Sequence, residues 1–117
     1  MTKWKLLLTI TFFLLTFLAF SQSQEQKKIE YLLNEVEKLE GAKFWRNGSS
    51  YSAKAAAEHL RMKFRKAGSA VSTAKDFIEK IASKSSTSGK AYQIELSDGK
   101  KVDTSVFFYR KLEAWKP

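Results

Sequence analysis

The feature that most constrains this chain is an uncharged apolar run from Leu6 to Leu18, set behind Lys3 and Lys5. A basic start, about a dozen apolar residues and a small-residue exit make a secretory leader. Ala19-Phe20-Ser21 places small residues at the −3 and −1 positions, so cleavage is expected after Ser21. The run falls short of the ~20 apolar residues that span a bilayer comfortably, so no stable membrane span is expected after cleavage. Residues 1–21 are read as a signal peptide, 22–28 as a flexible polar segment and 29–117 as a single domain. The chain has no cysteine, so an exported domain of this size must be held by packing alone.

Charge narrows the partners. The full chain carries a formal net charge of +9, and removal of Lys3 and Lys5 leaves it strongly basic. Such a surface attracts polyanions, and for an exported protein these are anionic envelope components such as lipid phosphate or cell-wall groups. Nucleic acid is not expected as a partner. One histidine and no cysteine cannot assemble a metal site of ordinary spacing, and no cofactor is expected.

Periodicity sets out the elements. Ile29, Leu32, Leu33, Val36 and Leu39 recur at helical spacing, with Glu30, Glu35, Glu37 and Lys38 on a face read as solvated. Gly41 can end that helix. Lys43-Phe44-Trp45-Arg46 reads as a short strand, and Asn47-Gly48 as a turn that needs positive φ. Ser52 caps an alanine-rich helix that runs to Gly68 through His59, Leu60, Lys63 and Phe64. Ser72 or Thr73 caps the next, with Phe77, Ile78 and Ile81 buried, fading near Lys84. Tyr92, Ile94 and Leu96 alternate with polar residues as a strand, and Asp98-Gly99 suggests a type I′ hairpin turn. A last helix, capped by Asp103 or Thr104, turns Val106, Phe108, Leu112 and Trp115 inward and leaves Phe107 outside. The expected fold is a small α+β domain of about four helices with a short β-hairpin and a short extra strand.

These residues carry a resemblance. Phe44, Arg46, Asn47 and Gly48, then Tyr51 and Ala53, then His59, Leu60, Arg61 and Lys63 occur in order. Thr73, Ala74, Phe77, Ile78, Ala82, Ser83, Ser85, Ser86, Ser88, Gly89 and Tyr92 continue the pattern. The chain thereby resembles the YfeK-like family of small exported bacterial proteins, a domain of unknown function, over about Ile29 to Leu96. The resemblance implies a single compact domain in a Gram-negative periplasm, and it supplies no activity and no catalytic residues.

The chemistry is concentrated around Ser83-Lys-Ser-Ser-Thr-Ser-Gly-Lys-Ala-Tyr92. It is not a P-loop: Lys84 stands where the first glycine belongs, Ala91 replaces the hydroxyl, and the segment runs from helix into strand. Ser72-Thr-Ala-Lys75 matches Ser-x-x-Lys, but the chain is far smaller than the enzymes that use it. The segment is read as a helix end whose hydroxyls serve local backbone groups. His59 is expected half-buried and bonded to backbone or to a loop hydroxyl, with the alternative that it faces Ser83–Ser88. Arg46 is expected to pair with a carboxylate or to cap a helix C-terminus, and Asn47 to shape its turn. The leading functional reading is a non-catalytic module for an anionic or polar envelope ligand. Its candidate surface joins Arg46, Asn47, His59 and Lys63 to Ser83, Ser85, Ser86, Ser88, Lys90 and Tyr92. That reading requires Arg46, His59 and Ser86 to converge. A small hydrolase or transferase is the alternative, and it requires a serine Oγ bonded to His59. An envelope protein–protein adaptor is the third reading, and it requires an apolar patch on the last helix.

Overall fold

A computed structural model describes residues 24–117; the expected leader and its cleavage site lie outside the described residues. Helix α1 occupies 24–37. It is already formed ahead of Ile29, where the apolar periodicity begins. Two contacts hold this first turn: Glu25 pairs with Lys28 at 2.9 Å, and its Oε1 accepts the Ala74 amide at 3.4 Å. Ile29, Leu32, Leu33 and Val36 are buried as the spacing requires. The acidic face is not simply solvated. Arg61 donates to Glu30 at 2.7 Å, Asn34 at 3.1 Å and Glu37 at 3.3 Å, while Lys111 reaches Glu35 at 3.4 Å. Residues 30, 34 and 37 lie one turn apart along a single stripe, so one guanidinium can bridge all three.

Strands β1 (Lys43–Arg46) and β2 (Ser49–Ser52) form a hairpin on Asn47 and Gly48, both left-handed at φ 51 and 81. That pair of angles is the type I′ turn, which matches the twist of the flanking strands. Strands β3 (Gln93–Glu95) and β4 (Lys101–Asp103) complete a four-stranded antiparallel sheet in the order β2-β1-β3-β4. The sheet thus has one strand more than the spacing predicts, because Ser49-Ser-Tyr-Ser52 is an exposed edge with a single apolar residue. The second hairpin also differs from expectation. Gly99 alone is left-handed there, and Leu96 and Lys100 close a three-residue loop by a 2.8 Å bond. The register lines up Tyr51, Phe44, Ile94 and Val102 across one face, toward the helices. Trp45, Gln93, Glu95 and Lys101 take the other face, where the Lys101 ammonium lies 4.4 Å from the Trp45 ring centroid.

Helix α2 (Ala53–Ala67) starts at Ser52, whose hydroxyl accepts the Ala55 amide at 3.2 Å. Helix α3 begins as Ala74–Asp76 under a Thr73 cap and continues as a π-helix over Phe77–Ala82. Helix α4 (Thr104–Ala114) closes the fold. Phe77 is fully buried and joins three helices edge to face: Phe64 of α2 at 5.8 Å and Phe108 of α4 at 5.9 Å, with Phe107 edge-on to Phe108 at 5.4 Å. Phe107 is therefore half-buried, not outside. Val106, expected inward, is 41% exposed. It sits two positions from Phe108, about 200° around the helix.

The aromatic chain makes Phe77 the most sensitive apolar position. Phe77→Ala is expected to lower unfolding free energy by about 3–5 kcal/mol in urea melts. Val106→Ala is expected to change it by less than ~0.5 kcal/mol.

Candidate functional site

The site is built around the C-terminal end of α3. A π-helix, like any helix, leaves its last carbonyls without intrahelical partners. Side chains from three other places meet them. The Lys63 ammonium donates to the carbonyl of Ile81 at 2.8 Å, to that of Lys84 at 3.4 Å and to the Tyr92 hydroxyl at 3.1 Å. Its three N–H groups are thereby committed, and its charge sits at the negative end of the helix. Thr104, 2% exposed, donates its hydroxyl to the Ala82 carbonyl at 2.6 Å, and Ser83 donates to the Ile78 carbonyl. Lys63 and Ser83 are used by the fold.

The serine-rich loop is likewise engaged with itself. Lys84 and Ala91 form an antiparallel bridge, and the Ser85 amide donates to the Lys90 carbonyl at 2.9 Å. Ser85 is 3% exposed, and its Oγ faces the amides of Thr87 (3.3 Å) and Ser88 (3.4 Å) and Asn47 Nδ2 (3.1 Å). Three donors around one oxygen direct its own proton to Thr87 Oγ1, 3.0 Å away. Ser88 donates to Asn47 Oδ1 at 2.5 Å. Asn47 therefore does two jobs: its backbone takes the left-handed turn, and its amide clasps the loop. Ser86 is exposed, and Lys90 is exposed with only its backbone bonded.

Arg46, His59 and Tyr92 do meet, in a cleft of about 230 Å³ between α2 and the β1–β2 hairpin. Phe44, Tyr51, Leu60 and Ala82 supply apolar wall, and Ala55 and Ala56 face the opening from α2. Asn47, Lys63, Ser83, Ser85, Ser86, Ser88 and Lys90 do not line it. The expected surface is thus divided between a cleft and a self-bonded loop, and Ser86 does not join Arg46 and His59 as that reading required. The sequence marks this helix as alanine-rich, which favours the helix but does not show a cavity. Here the small alanine side chains leave space.

His59 and Trp45, both lining residues, each bring a buried ring nitrogen without a partner among the described residues; His59 is the titratable one. Its Nε2 is buried and has no hydrogen-bond partner, where the spacing predicted a backbone or loop-hydroxyl bond. Its ring meets that of Tyr92 edge-on at 6.4 Å. Burial, then the charges of Arg46 and Lys63, hold its pKa below the ordinary 6.5. The imidazole is therefore neutral at pH 7. No serine or threonine hydroxyl among the described residues bonds to it, so the pairing a Ser/His nucleophile needs is not formed. Arg46, half-buried, has no carboxylate partner among the described residues, and the helix end it was expected to cap is held by Lys63.

The fold and cleft define a small α+β domain with an apolar, cation-edged cavity. A family profile described as a family of unknown function (DUF5329) matches residues 23–116, and the chain belongs to that family. It is also similar to the uncharacterized protein YfeK of Salmonella typhimurium strain LT2, with 33% identity over 90 residues, 75% of each chain. No solved structure matches it significantly.

The two jobs of Asn47 separate by mutation. Asn47→Gly keeps the left-handed turn and loses both side-chain bonds, and is expected to lower stability by about 1–2 kcal/mol. Asn47→Ala is expected to lose roughly 1 kcal/mol more, because alanine resists positive φ. The pH response separates from acid unfolding as well. A folded pKa below the unfolded value gives stability that is complete above pH 6.5 and is lost as pH falls through the folded pKa of His59. Asp76, held below 3.8 chiefly by the Ser72 amide, adds its own loss only at more acidic pH. Urea melts from pH 8 to 5 should show a decline that is absent in His59→Gln.

Proposed function

We propose that this chain is an exported, non-catalytic binding protein whose cleft takes a small polar or anionic molecule of the bacterial envelope. The observation that carries the reading is His59 Nε2: a buried nitrogen in an apolar cleft beside an arginine, neither with a partner among the described residues. A buried polar atom without a partner costs about 1–3 kcal/mol, and a ligand that bonds to it recovers much of that. The apolar lining with few polar groups is the usual make-up of a small-molecule site. At about 230 Å³ it lies under the ~300–1,000 Å³ of sites for drug-sized ligands, so the molecule is small. The leader expected at residues 1–21 supports export. The adaptor reading finds less support, since among the described residues Tyr51 and Val106 are the exposed large apolar side chains and Tyr51 already borders the cleft.

Two measurements test this. Intact mass of protein from a periplasmic fraction is expected to give a chain beginning at Gln22; uncleaved protein in the cytosol contradicts export. Thermal-shift screening of that protein against organic acids, sugar phosphates and short peptides should yield a ligand that raises the melting temperature. Ala55→Leu, which fills the opening, should abolish the shift while remaining folded by circular dichroism. A shift that survives Ala55→Leu places the ligand elsewhere.

A further inference from the structure

The polar groups of the cleft carry more than a statement that something binds. Resting on the cleft being the binding site, we propose that its ligand is a small carboxylate on an apolar body, bound together with a proton taken up at His59.

Charge comes first. Among the described residues Arg46 is the formally charged side chain that lines the cleft, and no aspartate or glutamate does. The other groups set toward His59 are Lys63 from its own helix, Tyr92 at the entry to β3 and Tyr51 from β2. None of them is a carboxylate. A half-enclosed, low-dielectric space with a cation and no counter-charge favours an anion over a neutral molecule. The planar guanidinium offers paired N–H donors that match a carboxylate. Lys63 does not compete for the ligand, because its donors are spent on Ile81, Lys84 and Tyr92.

Size and polarity set the rest of the molecule. An enclosed apolar cavity of ~150 Å³ accepts benzene. A cleft of about 230 Å³ has room for one ring or a short acyl chain with its carboxylate. A phosphorylated sugar would leave most of its hydroxyls against Phe44, Leu60 and the alanines without partners.

The proton follows from His59. In the free protein, burial of the ring and then the charges of Arg46 and Lys63 favour the neutral imidazole. A carboxylate seated between Arg46 and Nε2 reverses the local field, since an adjacent anion favours the imidazolium. The solvent supplies the proton, Nε2 then donates to the carboxylate, and no covalent bond changes. Affinity for the carboxylate therefore rises as pH falls from 8 toward 6, until His59 is protonated in the free protein as well.

The test is calorimetric titration of the periplasmic protein with phenylacetate and hexanoate, with phenylacetamide and hexanamide as uncharged controls. Each is run in two buffers of different ionisation enthalpy. The acids are expected to bind, the amides to bind at least about tenfold more weakly, and the buffer pair to report uptake of a fraction of a proton near neutral pH. Arg46→Gln should weaken the acids by about tenfold or more. His59→Gln, which keeps a hydrogen-bonding group, should retain binding and lose the proton uptake. If the amides bind as well as the acids and Ala55→Leu blocks both, the anion class is wrong and the cleft reading stands. If Ala55→Leu leaves the acids bound, the cleft reading itself fails. Acid binding without proton uptake overturns the role given to His59, and no binding of any probe overturns the ligand class.

Discussion

The arrangement turns on one ammonium group. Lys63 reaches from α2 to the frayed end of a π-helix and touches two carbonyls and a phenol at once. A helix that ends in the interior must have its last carbonyls met. Here the end of α3 is met by Lys63, by Thr104 from α4 and by Ser83 next along the chain. These contacts fix where the chain leaves α3 and where Tyr92 enters β3. Tyr92 and Thr104 then form part of the cleft, so the same interactions that end the helix shape the cavity.

A cavity persists beside this anchor because α2 presents alanine where a core helix normally presents larger side chains. Alanine favours the helix and leaves volume unfilled. The walls are held by elements with their own support: β1 and β2 by the Asn47 turn, α2 by the Ser52 cap and by its Arg61, which pairs with Glu30 of α1. The cleft is thus open without being loose. Its electrostatics follow from the same placement. Burial of the ring, and then the nearby charges of Arg46 and Lys63, hold the pKa of the chain's one histidine below its ordinary value.

Much of the fold was legible in the sequence, for identifiable reasons. The caps at Ser52 and Thr73, the Asn47-Gly48 turn and the buried stripe of α1 rest on local chemistry that a short window contains. What was not legible depended on distant partners. Strand β2 has little apolar content and exists through its pairing with β1. The π-helical winding of Phe77–Ala82 has no marker in its residues. The glutamates of α1 read as solvated until Arg61 and Lys111 came to them from other helices. The site divided for the same reason. The loop hydroxyls do serve local backbone groups as their residues suggest, but the clasp by Asn47 comes from far away in sequence. Arg46, His59 and Tyr92 were identified, whereas the alanines that make room beside them were not.

The central claim is that His59 stands uncharged and unbonded in a preformed cleft. Because the chain has a single histidine, side-chain ¹⁵N NMR reads this directly. The imidazole is expected to be neutral at pH 7 and to titrate below 6.5, with nitrogen shifts showing no strong hydrogen bond in the ligand-free protein. Titration at or above 6.5, or shifts showing a nitrogen already engaged by a protein group, would contradict it.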